Sequence, residues 1–241
     1  MEPEKQRDGT VKTSPYLILA SASPRRKHLL EQLRLPFRIV PSGIDERIPD
    51  GMPAHQAAIE LALEKALEVC RRMGVGLVLG ADTFIAIDGE ILGKPADLEQ
   101  ARVMLEKLKG RTHSVITGLA LMYCSDQAQA TGLVETSVKM RSYSASEIDE
   151  YVRSGEPLDK AGAYAIQGLG SRLVKAIDGC YNNVVGLPLC RLSKLLLELA
   201  VPLPHGSPSC RLPCGLPCPE TVDRTRLRRG KGSPPRNDVE L

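Results

Sequence analysis

The sequence predicts an α/β protein: one domain with a mixed sheet flanked by helices over residues 16–200, followed by a disordered C-terminal tail. Three observations carry that expectation. Short apolar runs alternate with longer amphipathic stretches, the pattern of strands interleaved with helices. Several neighbouring strand-like runs are joined by hairpin-like turns, so part of the sheet must be antiparallel. From Val201 onward the character changes abruptly: this segment holds 8 of the 18 prolines and no convincing periodic segment.

The elements follow in order. Residues 16–20 are a short apolar run, read as a buried strand. Ser23 suits a helix N-cap and Pro24 the first helical position, with Leu29, Leu30 and Leu33 as the buried face. Residues 37–41 read as a second strand, and a longer helix over 55–73 turns Ala58, Leu61, Ala62 and Ala66 inward. A buried strand is expected over 77–81. Residues 84–87 and 90–92 flank Asp88-Gly89, a strong signal for a tight hairpin. Asp97 opens the next helix with Gln100 three residues on, a capping-box pattern, and Gly110 fits just past its end. Two long strands are expected over 114–123 and 133–143, the second with clear in–out alternation. Ser144 and Glu147 form another capping box before a helix ending near Gly155, and residues 189–199 form the last helix.

Apolar residues make up 42% of the 241 and charged residues 25%, ordinary for a soluble globular chain. No apolar run approaches the roughly 20 residues of a membrane-spanning helix. Residues 1–15 read as a flexible leader, polar and acidic enough to be neither a secretory signal nor an Arg-rich transit peptide. The expected compartment is the cytoplasm, with no membrane partner. Cys70, Cys124, Cys180 and Cys190 are accordingly read as reduced, partly buried thiols. Cys210, Cys214 and Cys218, with His205 upstream, lack the paired spacing of structural zinc sites and read as free thiols in a tail.

The formal charge of +3 sits entirely in residues 201–241, which hold 7 Lys+Arg and 4 Asp+Glu; the rest of the chain carries 25 of each sign. A nucleic-acid-binding domain would spread its basic patch over the fold and interleave aromatics, which are only 3% here. No nucleic-acid partner is expected. The competing possibility, binding through the basic tail, predicts salt-sensitive association that vanishes when residues 201–241 are removed.

Four stretches hold the candidate chemistry. Ser21 and Ser23, with Arg25 and Arg26, lie between the first strand and the first helix, where unpaired N–H groups, hydroxyls and forked donors together suit phosphate. An N-cap beside surface arginines would look the same. Asp82, in Gly80-Ala-Asp-Thr83, is placed at the carboxyl end of a buried strand, where it could act as general base or help hold a cation; a turn aspartate is the plainer alternative. Glu46, Lys65 and Lys94 are further charged candidates, each by itself a solvated charge. Gln167, in the Gly-rich stretch from Asp159 to Gly168, offers a donor and an acceptor suited to the edge of uracil or thymine.

In order, the chain carries Leu-Ala-Ser21-Ala-Ser23-Pro-Arg25-Arg26, Gly80-Ala-Asp82-Thr83, Gly93-Lys94-Pro95, Thr117-Gly118, Asp159-Lys-Ala-Gly-Ala-Tyr164-Ala-Ile-Gln167-Gly168 and Val184-Val-Gly-Leu-Pro188. That series resembles the Maf family of nucleoside triphosphate pyrophosphatases, related in fold to the ITPases, across nearly the whole span of 16–200. The resemblance implies a divalent-cation-dependent hydrolase, with Mg²⁺ or Mn²⁺ as the cation, that cuts a nucleoside triphosphate into its monophosphate and pyrophosphate. By position Asp82 matches the family's proton acceptor, and Arg25, Thr83 and Gln167 match positions linked to substrate choice. The Ile166-Gln167-Gly168 form is similar to the branch favouring dTTP and UTP, a house-cleaning activity on the nucleotide pool. Ser21, Ser23, Arg26, Glu46, Lys65 and Lys94 complete the implied substrate-binding set, the metal ligands remaining unassigned. A homodimer is the oligomer that relatives suggest. The alternative is a catalytically silent Maf-like regulator of cell division or of a fused partner, which would be expected to lack Asp82. The leader and the Cys/Pro/Arg tail depart from the family pattern.

Overall fold

The computed structural model describes residues 16–49, 51–204 and 239–240. The expected flexible leader, the three tail cysteines and the expected disorder of residues 205–238 lie outside the described residues.

Eight strands form one mixed sheet: β1 (Leu17–Leu19), β2 (Phe37–Ile39), β3 (Leu77–Ile87), β4 (Glu90–Leu92), β5 (Thr112–Tyr123), β6 (Gln129–Met140), β7 (Val174–Asp178) and β8 (Val239–Glu240). Their spatial order is β2-β1-β3-β5-β6-β7-β8, with β4 hydrogen-bonded to β3. β1 runs parallel to both β2 and β3, and the other pairings are antiparallel. Among the described residues six α-helices cover it: α1 (Pro24–Glu31), α2 (Ala54–Met73), α3 (Leu98–Leu108), α4 (Ala145–Arg153), α5 (Tyr181–Val185) and α6 (Leu189–Glu198). The expected mixed α/β architecture is therefore present. β7, α5 and β8 have no counterpart among the expected elements: five-residue segments are too short to show a period, and β8 pairs with β7 at residues 239–240, inside the tail expected to be disordered.

Alternation along the strands divides the core into two layers. Leu17, Leu19, Leu77 and Leu79 face the main core, which the buried sides of α1, α3, α4 and α6 complete. Ile18, Val78, Ala120 and Met122 face the other way, onto Ala62, Ala66 and Val69 of α2. α2 lies unusually close to the sheet, since Ala58, Ala62 and Ala66 are wholly buried. Opposite them stand Gly80 and Gly118, where an added Cβ would run into the α2 carbonyls of Ala62 and Ala58. The two glycines thus let the helix seat on the strands.

Local signals mostly hold. Ser23 caps α1 by accepting the N–H of Arg26, and Ser144 and Glu147 complete both halves of a capping box on α4. Asp88 (φ 53°) and Gly89 (φ 80°) make the left-handed pair that the β3–β4 hairpin needs. At α3 the box is open: Asp97 accepts the N–H of Gln100 at 2.7 Å, but the Gln100 side chain accepts from Ala96 N at 2.5 Å instead of the cap residue. The fold also runs past the expected boundary: Val201 is buried with its N–H donating to Leu196 O, and Leu203 packs against the main core.

Two expectations are corrected. Cys70 and Cys124 are not separate thiols but a disulfide, with Cα atoms 4.9 Å apart. The close seating of α2 brings its last turn against the end of β5, where Cys124 N donates to Gly76 O. Cys180 and Cys190 are buried, and neither is in a disulfide among the described residues. The second correction concerns Asp82, expected at a strand end. β3 continues through it to Ile87, because β5 pairs with β3 from Leu77 as far as Ala86. What ends nearby is β1, whose parallel pairing with β3 covers only Leu77–Leu79.

Candidate active site

Where β1 stops, one edge of β3 is left uncovered. The chain leaves β1 through Ala20–Ser21 and turns into α1, so a cleft opens beyond the carboxyl ends of the parallel strands. Open α/β sheets place ligands in such a crevice. The cleft has a volume of about 850 Å³, within the usual range for a small-molecule site. Ser21, Ser23, Arg25, Arg26, Glu46, Lys65, Asp82, Thr83, Lys94 and Gln167, all the residues singled out in the sequence, line it together. Residues 21 and 167 are far apart in the chain; the fold, not the sequence, makes them neighbours.

Asp82 is the centre. Its residue is only 6% exposed. Oδ1 accepts the N–H of Thr83 at 3.0 Å and lies 3.2 Å from Lys65 Nζ and 3.8 Å from Arg26 Nη2. Oδ2 is buried and has no hydrogen-bond partner among the described residues. A buried carboxylate with one satisfied oxygen and one orphan costs free energy unless something else engages the orphan.

Lys65 comes from the inner face of α2, one turn beyond Leu61, and its side chain is 4% exposed. Besides Asp82 it holds Glu46, with Nζ–Oε1 at 2.6 Å. Burial pushes the Glu46 carboxyl upward, but the Lys65 hydrogen bond and charge, then Lys94 and Arg26, leave it below its ordinary value. The solvated charge that a lone Lys65 or Glu46 suggests is therefore not what forms. The pair belongs to a network.

Arg26 sits at the mouth of β3 and touches both faces of that strand. Its Nε donates to Gly186 O at 2.9 Å and its Nη2 to Thr83 Oγ1 at 3.0 Å. Thr83 in turn pairs across the sheet with Thr117, their hydroxyls 2.9 Å apart. Burial lowers the Arg26 pKa, and the charges of Asp82 and Glu46 oppose that shift. Arg25 is half-buried and Lys94 exposed, and both line the cleft with no hydrogen bond or ion pair among the described residues. Arg26 and Lys65 are engaged internally, while Arg25 and Lys94 remain available to an anion.

Several lining residues carried no individual signal in the sequence. Gly186 contributes its carbonyl to Arg26 across 160 positions, a contact no local pattern foretells. Lys160, 9% exposed, donates from Nζ to Glu156 O and to Asp159 Oδ1, both at 2.6 Å. Tyr164 lines the cleft with its hydroxyl 2.7 Å from His113 Nε2 behind it. These residues fell inside quoted motifs, but only their three-dimensional neighbours show what they do.

Among the described residues no three His, Cys, Asp or Glu side chains come together as a metal site. Glu46 and Asp82 are the carboxylates at Lys65, so a cation here would take most of its oxygens from a bound phosphate and water. Mg²⁺ is commonly held that way. The orphaned Asp82 Oδ2 fits such an ion or a polarised water equally well.

Mixed sheet and charged cleft together define an α/β protein built to hold a polyanionic small molecule beside a buried carboxylate. The family follows directly: the chain belongs to the Maf family, whose Maf-like protein model matches residues 16–199. It is 49% identical over 185 residues to a dTTP/UTP pyrophosphatase of Ruminiclostridium cellulolyticum, covering 76% of this chain and 95% of that one. Proteins of the same description from Pelotomaculum thermopropionicum and Gloeobacter violaceus are 46% and 47% identical, over 75% and 76% of this chain and 94% and 95% of theirs. No helix among the described residues is long and apolar enough to cross a membrane.

Proposed function

We propose that the protein hydrolyses dTTP and UTP to their monophosphates and pyrophosphate, with Asp82 as the base. The single observation that supports this most is the state of Asp82: buried, held by Lys65 and Arg26, with Oδ2 unpartnered among the described residues beside a cleft of about 850 Å³. The substrate pair comes from relatives that align over nearly their whole length and carry that description.

In this reading the triphosphate lies along residues 21–26, meeting the Ser21 and Ser23 hydroxyls, Arg25 and, across the cleft, Lys94. Asp82 Oδ2 accepts a proton from water as the water oxygen bonds to the α-phosphorus. The bridge to the β-phosphorus breaks, and pyrophosphate leaves with the electron pair. Phosphoryl chemistry depends mainly on positioning and charge neutralisation, which suits a site with several cations around one buried carboxylate. Glu46 and Asp82 would hold the divalent cation, Mg²⁺ or Mn²⁺; when bound it would neutralise phosphate charge and sharpen the acidity of the attacking water. Gln167, exposed in the cleft, would meet the base edge. A role in the nucleotide pool would place the enzyme in the cytoplasm.

The test is a phosphate-release assay on dTTP and UTP with inorganic pyrophosphatase added. The expected result is phosphate that appears only with the auxiliary enzyme and a divalent cation, and stops on adding EDTA. No release with either Mg²⁺ or Mn²⁺ at micromolar protein would end this reading.

A further inference from the structure

Gln167 makes no hydrogen bond of its own among the described residues. Its side chain is exposed in the cleft, and its backbone enters a 3-10 turn, Gly168–Leu173, without capping it. Something else must fix where that amide stands. Before it, Ile166 is anchored in the core at 4% exposure. After it, Ser171 Oγ donates to Gly168 O and Arg141 to Arg172 O, but the amides nearest Gln167 are held by the Glu156 carboxylate.

Glu156 opens a separate 3-10 turn, Glu156–Asp159, just beyond α4. Its Oε2 accepts the N–H of Leu169 at 3.1 Å, and its Oε1 accepts the N–H of Gly170 at 3.2 Å. Tyr151 Oη donates to the same Oε1 at 3.2 Å. A carboxylate gripping two consecutive amides fixes both the position and the tilt of a peptide plane, since charge-assisted bonds to two oxygens leave little rotational freedom. The other end of the residue is tied too, because the Glu156 carbonyl accepts from Lys160 Nζ at 2.6 Å. Lys160 lines the cleft, as does Gln167, two residues before the clamped Leu169.

We infer that Glu156 is a positioning residue for base selection: by clamping the amides of Leu169 and Gly170, it sets where the Gln167 amide meets the base. This rests on the proposed nucleotide hydrolysis. Glu156 touches neither phosphate nor the reacting atoms, so its loss should weaken discrimination far more than turnover. Glu156→Gln is the informative change. A glutamine has one acceptor oxygen and an NH₂ that cannot accept, so at least one amide bond is lost at nearly constant shape.

The experiment compares kcat and KM of the full chain and its variants on UTP, dTTP and CTP. For Glu156→Gln the expected result is a KM for UTP raised about tenfold, kcat changed less than about twofold, and preference for UTP over CTP collapsing towards parity. Tyr151→Phe removes a donor to Glu156 yet leaves both amide bonds, and should keep wild-type preference. In a Gln167→Ala background, Glu156→Gln should alter preference little further, because the side chain it positions is gone. Thermal melts accompany each variant: if preference is unchanged in a folded Glu156→Gln protein, or falls equally in both backgrounds, the inference is overturned. A Glu156→Gln protein that does not fold shifts the decision to Leu169→Pro, with Tyr151→Phe as its control. Leu169→Pro removes one clamped N–H, and unchanged preference there overturns it equally. A wild-type protein that cleaves none of the three substrates would instead bring down the proposed function, and this inference with it.

Discussion

Asp82 on β3 and His113 on β5 make an instructive pair. Both are buried titratable groups on adjoining central strands, 6% and 3% exposed, and each keeps one polar atom, Oδ2 or Nδ1, without a partner among the described residues. Their surroundings differ. Asp82 has Lys65 and Arg26 beside it and opens onto the cleft. His113 has only the Tyr164 hydroxyl at 2.7 Å, and burial alone pushes its pKa down to about 4, so it stays neutral. A buried ionisable side chain therefore points to chemistry only where opposite charge and access converge on it. At His113 the fold suppresses ionisation; at Asp82 it surrounds the carboxylate with cations.

The comparison breaks most decisively at Asp82. Asp82→Asn keeps shape and removes the proton acceptor, so turnover should fall by about a thousandfold or more while the thermal melt stays cooperative. Steady-state rates on UTP check it, and near-normal turnover would take Asp82 out of the mechanism. At His113 the effect should appear in stability alone. Its folded pKa of about 4 lies below its ordinary 6.5, so between those values the unfolded chain binds a proton that the fold refuses. Stability should thus be full above pH 6.5 and decline as pH falls towards 4, by about 3 kcal/mol in all. His113→Gln, neutral at every pH, should flatten this slope in denaturant titrations and leave kcat within about twofold. A slope unchanged by the substitution would show that His113 is not its source.

Lys65 sharpens the contrast from the other side. Lys65→Met removes the cation shared by Asp82 and Glu46, and kcat/KM should drop about thirtyfold, the scale of one lost charge-assisted contact. Glu46, held low by Lys65, should titrate closer to its ordinary value, as side-chain carboxyl NMR would record. The sign follows: a depressed carboxyl contributes stability above its unfolded pKa and loses it as pH falls through the folded one, so the variant should resist mild acid slightly better relative to its own neutral value. An unmoved Glu46 titration would mean that the ion pair does not form.

How much of this was legible in the sequence follows from the range of each interaction. Ser23, Ser144, Asp88 and Gly89 act within a few residues, and their turns and caps stand where local chemistry put them. The cleft residues were individually ambiguous, and only as an ordered series did they stand out. What could not be read is what depends on distant neighbours. Gly80 makes room for α2, and pairing with β5 carries β3 on through Asp82. Arg26 had the makings of a phosphate fork, yet Gly186 and Thr83 occupy its donors. Cys70 and Cys124 looked like unrelated thiols until helix and sheet brought them together.

The most direct test of the central claim is a crystal structure with the α,β-imido analogue of dUTP and Mg²⁺. The account predicts the triphosphate along residues 21–26, the α-phosphorus turned towards Asp82 Oδ2 and the base edge at Gln167. An analogue bound with its phosphates away from Asp82, or outside this cleft, would contradict it.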